Sequence, residues 1–275
     1  GAILLGRCAD CRIGLVGANN RNLIAAGTAA EVLSGINLVD CQRVTVSNNY
    51  IGVTRAGNRI FPGGGVAGIW VVGQGGAEQR HVLGGTQPGT GNVIAGLRNG
   101  IIVDASSYNT IAGNKIGLNA VGNGPLPIEY ECVALYNQAH HTTIGSPLRG
   151  GRNYFASSLT AITIQGADNH DTLIQNNYFG LTSAGTTVLP QGDGVLICNG
   201  AHEVTVGQFR QFVQASGYVP ESVRDGTGGY GFNPRYDPSR TERGDLFEGR
   251  DPRYSWQNPG FAQTDEHPVV NVTWN

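Results

Sequence analysis

Apolar side chains in the first two hundred residues fall in short runs, alternate with polar or small ones, and are interrupted by Gly, Asn and Asp. Three segments show it most plainly: GINLVDCQRVTVSNNYIG (35–52), GIIVDASSYNTIAGNKIG (100–117) and AITIQGADNHDTLIQNNYFG (161–180). Alternation over a few residues, with turn residues at fixed offsets, predicts short strands. It excludes amphipathic helices, whose apolar positions return every three to four residues.

The three segments end alike, at Asn49, Asn114 and Asn177, which are 65 and 63 positions apart. A second set follows each of them: GIWVVGQGGAEQRHVLGG (68–85), CVALYNQAHHTTIGS (132–146) and VLICNGAHEVTVGQ (195–208). A third set, NLIA (22–25), NVIAG (92–96) and NYFAS (153–157), completes a repeat of about 64 residues. A sandwich does not need the same residue type at the same turn in every copy. A solenoid does, because equivalent turns stack. The expected fold class is therefore mainly β, a right-handed parallel β-helix. Each unit is expected to make three coils of about 21 residues, giving nine or ten coils and a rod about 45 Å long. The turn asparagines are read as structural, since an Asn amide bonds its own backbone or that of the next coil and tolerates positive φ.

These motifs, N-x-I-x-G-N-x-I-G and G-I/V-x-I, resemble those of right-handed β-helix repeat proteins, a group that includes pectate-lyase-like enzymes and many secreted or surface proteins of bacteria. The resemblance spans about 207 residues and implies an architecture rather than an activity.

A polysaccharide lyase or hydrolase on such a rod needs converging carboxylates, with calcium and a base or without. Asp104, Asp168, Asp171 and Asp193 occupy different places in the repeat; Asp168 and Asp171 share the turn QGADNHD, either as a catalytic pair or as ordinary turn composition. His140 and His202 are equivalent, each five residues before a repeat glycine (Gly145, Gly207). Three coils per unit would separate them by about 14 Å, too far to share a metal. His140 and His141 are then either a local site or exposed turn residues. Cys41, Cys132 and Cys198 lie in strand-like runs and read as core residues. Cys8 and Cys11 form a lone CxxC without the second ligand pair that a structural zinc needs. No catalytic, cofactor-binding or metal-binding residue is assigned.

Composition changes at residue 203. Up to His202 there are 34 glycines and ten aromatics; the 73 residues from Glu203 hold nine glycines and 11 aromatics. Net charge is −2, which leaves no electrostatic footprint for nucleic acid. No apolar run reaches membrane-spanning length. The chain has no methionine and reads as a fragment of a secreted or cell-envelope protein, with any signal peptide upstream.

From Thr205 the pattern is helical. Thr205 and Gln208 form a capping box, Phe209, Phe212 and Val213 make an apolar face, and Gly217 ends the run. Aromatic, Pro and Gly residues follow, predicting long ordered loops around a few strands. EVTVGQFRQFVQASGY (203–218), RDGTGGYGF (224–232) and FEGRDPRYSWQNPGFAQTDEHPVVNVTWN (247–275) resemble the opening part of the formylglycine-generating enzyme, or sulfatase-modifying factor, family. The resemblance implies a partial α/β fold of low regular content, related to C-type lectins. It further implies that a complete domain would oxidise a sulfatase cysteine with oxygen and copper held by a cysteine pair. No cysteine follows Cys198, so this chain alone is expected to be inactive and to hold no copper. Asn271-Val-Thr273 fits a glycosylation acceptor but is the family's own N-V-S/T-W.

The expected domains are thus 1–202, β-helix, and 203–275, an incomplete formylglycine-generating-enzyme-like domain. The string EVTVG belongs to both, as recombination or a misjoined sequence would leave it. Two functions are carried forward: a β-helix scaffold preceding a sulfatase-modifying domain, or a secreted or surface solenoid that binds glycans, with a polysaccharide lyase as a weaker third. Partners on these readings are a glycan or cell-surface polymer, and a sulfatase only if the tail were complete.

Overall fold

The computed structural model describes residues 2–26, 34–74, 78–166, 168–198, 205–232, 247–265 and 267–272. The chain divides into two compact units, Gly1–Ala201 and His202–Asn275.

The first unit is a parallel β-solenoid with three faces. One face is a seven-stranded sheet in chain order: Ile3–Gly6, Ile36–Val39, Ala67–Val72, Asn99–Asp104, Glu131–Tyr136, Thr160–Gln165 and Asp193–Cys198. The other two faces hold six short strands each, the second running from Arg12–Ile13 to Leu173–Ile174 and the third from Leu23–Ile24 to Tyr178–Phe179. Every pairing on these faces is parallel and joins one coil to the next. On the three faces, backbone hydrogen bonds therefore run along the axis from coil to coil.

The coil is longer than the sequence pattern suggested. Ile36 pairs with Ile69, Ile69 with Ile101, Ile101 with Val133, Val133 with Ile162 and Ile162 with Val195, steps of 29 to 33 residues. A 64-residue unit is two coils, not three. Six complete coils and one further strand make a stack about 29 Å long at strand spacing, in place of about 45 Å. The first set of repeat segments carries all three strands of one coil, and the second and third sets together carry those of the next. Alternate coils then differ in where the extra residues go. Val53 bridges Ile60, Leu118 bridges Pro125 and Leu181 bridges Val188, each closing a long corner after the third face in every other coil. The sequence period records that alternation.

Inward Ile, Val, Leu and Phe side chains fill one continuous core, with Ile36, Leu38, Ile69, Leu83, Ile101, Ile111, Ile116, Leu135 and Phe155 fully buried. In the last strand the inward positions are less buried. Val195 and Ile197, in register with buried Ile162 and Ile164, are 42% and 57% exposed. The repeat glycines after the third face are required by geometry: Gly52 and Gly117 have φ of +73° and +82°, and a Cβ would come within 2.0 Å of the Ala95 carbonyl oxygen and 1.6 Å of that of Ala156.

The turn asparagines form one ladder at the start of the third face. Nδ2 of Asn22 donates to Oδ1 of Asn49 at 2.8 Å, and the same contact repeats from Asn49 to Asn92, Asn92 to Asn114, Asn114 to Asn153 and Asn153 to Asn177 at 3.0–3.1 Å. Each Nδ2 from Asn49 onward also caps a carbonyl of the preceding coil, such as Ile13 for Asn49 and Leu83 for Asn114. A stacked amide column satisfies polar groups that would otherwise be buried unpaired.

The second unit contains the helix Val206–Ser216, a short helix Glu221–Arg224 and an antiparallel pair, Gly229–Phe232 with Phe247–Asp251. The helix stops at Gly217, whose φ is +67°. Val206, Phe209 and Trp256 form a small core with Val213, Tyr218, Val269 and Val272 packed on it. Phe212 is 50% exposed, so the expected apolar face is only half used. The Asn271 amide holds the Tyr230 backbone, with Oδ1 accepting from its N–H at 2.9 Å and Nδ2 donating to its carbonyl at 3.2 Å.

Candidate functional site

The turn between the first and second faces repeats an uncommon backbone. Asp10, Arg43, Arg80, Tyr108, His141 and Asp171 hold equivalent places in six successive coils, all with φ between 49° and 59°. Left-handed conformation is unfavourable for any residue with a Cβ. Stacking compensates, since each N–H bonds the next coil: Asp10 to the Gln42 carbonyl, Arg43 to Gln79, Arg80 to Ser107, Tyr108 to His140 and His141 to His170, at 2.7–3.2 Å.

The side chains of this column project outward and touch along the axis. Arg43 bonds Asp10 at 2.7 Å, and Arg80 pairs with Glu78. The Arg80 guanidinium lies 5.0 Å from the Tyr108 ring centroid. Tyr108 stacks on His141 at 4.4 Å with 17° between the planes. The His141 Nε2 is 3.5 Å from Asp171 Oδ2. The residues just before the column add a second pair, His140 stacked on His170 at 4.7 Å and 3°.

Four groups then converge. His140 Nδ1 and His141 Nδ1 are 2.9 Å apart, and His170 Nδ1 is 2.7 Å from Asp171 Oδ2. Among the described residues, His140, His141 and His170 are three side chains able to ligate, each offering one nitrogen within 4.8 Å of the other two. Burial lowers the pKa of His140, with the neighbouring His170 and His141 adding to the effect and Asp171 opposing it. Neutral imidazole is thus favoured at His140, able to accept a hydrogen bond or ligate.

His140 meets His170 because a coil takes about 30 residues rather than about 21. His202, its expected counterpart, lies outside the described residues. The clue to His170 was present in the alignment of AHHTT with NHDT, but a coil of 21 residues does not bring those turns together. Asp168 and Asp171 take different partners, Asp168 accepting from Gln138 at 3.5 Å and Asp171 facing the imidazoles. Asp104 accepts from Asn137 at 2.8 Å, and Asp193 begins the last strand of the first face.

Cys41 and Cys132 are buried, whereas Cys198 is half-buried. Cys8, from the CxxC, places its Sγ 2.9 Å from that of Cys41 one coil on. Burial, reinforced by the Cys41 and Cys11 thiols, pushes the Cys8 thiol up to about 12. In the second unit a cleft of about 300 Å³ is bordered by Glu221, Asp225, Tyr230, Arg250 and Asn271.

No family model, curated protein or solved structure matches the chain. The fold defines its class, a protein built on a parallel β-solenoid scaffold. No described helix is long and apolar enough to cross a membrane.

Proposed function

We propose that the solenoid is a binding scaffold of a secreted or cell-envelope protein, holding an extended glycan or similar polar polymer along its outer column. The observation that carries this reading is the axial contact series Arg80–Tyr108–His141–Asp171. One residue per coil is repeated at strand spacing, so a chain-like ligand meets a cation, a π-face, an imidazole and a carboxylate in line. Planar side chains held by stacking lose little freedom on binding, which favours recognition of flat sugar faces. The test is retention of the chain on immobilised acidic and neutral polysaccharides, polygalacturonate and alginate among them, in EDTA. Tyr108→Ala should weaken binding about tenfold. Unchanged retention of that variant, or no retention of the wild type on any polymer, removes this reading.

The tail is read as the opening part of a formylglycine-generating-enzyme-like domain. Packing supports it: the ring of Phe209, from the first matching motif, lies 5.1 Å from Trp256, from the last. Val269 and Val272 join the same small core. Copper and a sulfatase partner belong to this reading only for a domain that carries the family's cysteine pair. Sequencing of the gene beyond the Asn275 codon tests it. A cysteine pair in the same frame is expected, and a stop codon or further β-helix coils in its place would end the reading.

A further inference from the structure

We propose that His140, His141 and His170 form a binding site for a divalent transition metal of the zinc type, with Asp171 as its orienting carboxylate. The site does not rest on glycan binding, although it shares His141 and Asp171 with the column described above.

Three observations carry it. The first is convergence across the stack. Two imidazoles come from one coil and the third from the next, and one nitrogen of each ring already lies within 4.8 Å of the other two. Tetrahedral zinc, with Zn–N near 2.0–2.1 Å, holds its ligand nitrogens about 3.3 Å apart. His140 Nδ1 and His141 Nδ1 are closer than that, at 2.9 Å. Small rotations of partly exposed rings supply the rest.

The second is the set of tautomers. Asp171 Oδ2 stands 2.7 Å from His170 Nδ1 and 3.5 Å from His141 Nε2. A carboxylate there holds a proton on each of those nitrogens. The opposite lone pairs, on His170 Nε2 and His141 Nδ1, are left for a ligand, and His141 Nδ1 is the atom facing His140. Carboxylate–histidine pairs of this kind orient the rings of zinc sites and raise their basicity.

The third is preorganisation. The left-handed backbone at His141, with φ of 52°, and the parallel stacking of His140 on His170 hold the rings without a metal. Without a metal, the contact between His140 Nδ1 and His141 Nδ1 is an N–H···N hydrogen bond, and a bound cation would take the place of its proton while the third imidazole stands beside them. Three imidazoles with a fourth position open to solvent suit Zn²⁺, Cu²⁺ or Ni²⁺ rather than Ca²⁺ or Mg²⁺, which prefer oxygen.

The experiment is titration of the metal-stripped full chain with Zn²⁺ by calorimetry, and with Co²⁺ while following its visible absorption. One equivalent should bind, and cobalt should give the intense bands of a tetrahedral or five-coordinate nitrogen site. His170→Gln and His140→Ala should each weaken binding by at least about tenfold, and Asp171→Asn by about ten- to a hundredfold. His267→Ala, in the other unit, should leave it unchanged. Circular dichroism of each variant establishes that the solenoid is intact. Absence of saturable binding by the folded wild type, or wild-type affinity in folded His170→Gln, overturns the proposal. Because the metal is added without glycan, and glycan retention is measured in EDTA, either reading can fail while the other stands.

Discussion

Asn114 and Asn153 are 39 residues apart in sequence and one coil apart in space. The Nδ2 of Asn114 donates to Oδ1 of Asn153 at 3.1 Å, and its backbone N–H reaches the same oxygen at 2.9 Å. The Asn114 amide also donates to the Leu83 and Ala112 carbonyls and accepts from the N–H and Nδ2 of Asn92. Asn114→Ala leaves several of these groups buried without partners and should cost about 3 kcal/mol. Asn177, half-buried on the last rung, donates to the Ile144 carbonyl at 2.9 Å, and Asn177→Ala should cost about 1 kcal/mol. Urea unfolding followed by circular dichroism measures both. Equal losses would mean that the ladder is not cooperative.

His81 should make the solenoid sensitive to acid. It is 1% exposed, its Nδ1 accepts from the Val44 N–H at 3.1 Å, and its Nε2 has no hydrogen-bond partner among the described residues. Burial lowers its pKa from 6.5 to about 4. The folded state therefore holds His81 neutral while the unfolded chain protonates it. Stability is fully present above pH 6.5 and is lost as pH falls through the window from 6.5 to about 4, by up to about 3 kcal/mol. His81→Asn keeps an acceptor for Val44 and removes the titration. Urea midpoints measured across the window should fall more steeply for wild type than for the variant, and parallel slopes would locate acid sensitivity elsewhere.

Cys8 and Cys41 should form a disulfide that ties the first coil to the second. The thiols are 2.9 Å apart, 33 residues apart in sequence, beside the parallel bridge Ala9–Gln42. With oxidised glutathione as acceptor, the two thiols lose two protons and two electrons and one glutathione disulfide becomes two glutathione molecules. A thiol pushed up to about 12 is scarcely ionised near neutral pH, so the reaction should be slow and should quicken with pH. Peptide mapping should find Cys8 joined to Cys41 with Cys11 free. Closing a loop of this length should add about 3–4 kcal/mol to stability. A Cys8–Cys11 bond in its place would refute the assignment.

Much of the solenoid was legible from local pattern. Asn49, Asn114 and Asn177 identified the ladder, Gly52 and Gly117 its left-handed corners, and the alternating apolar runs its inward faces. Each is legible because stacking imposes the same chemistry on every rung. The histidine site was only half legible. His140 and His141 were noticed as neighbours, but His170 and Asp171 join them through the third dimension. The pairing of Cys8 with Cys41 escaped for the same reason. In the tail, the helix ending at Gly217 was readable from periodicity and from that glycine. The use of Asn271 to hold the Tyr230 backbone was not, since nothing local ties residues 41 apart.

The order of side chains along the chain was enough to determine that this protein winds its strands into stacked rungs, because inward apolar residues and corner asparagines recur whatever the length of the rung. The number of residues in a rung was settled only by the tertiary structure. Extra residues enter at different corners in alternate coils, so the chain repeats every two turns while the backbone hydrogen bonds repeat every one. That difference decides which side chains become vertical neighbours, and so why His140 lies against His170.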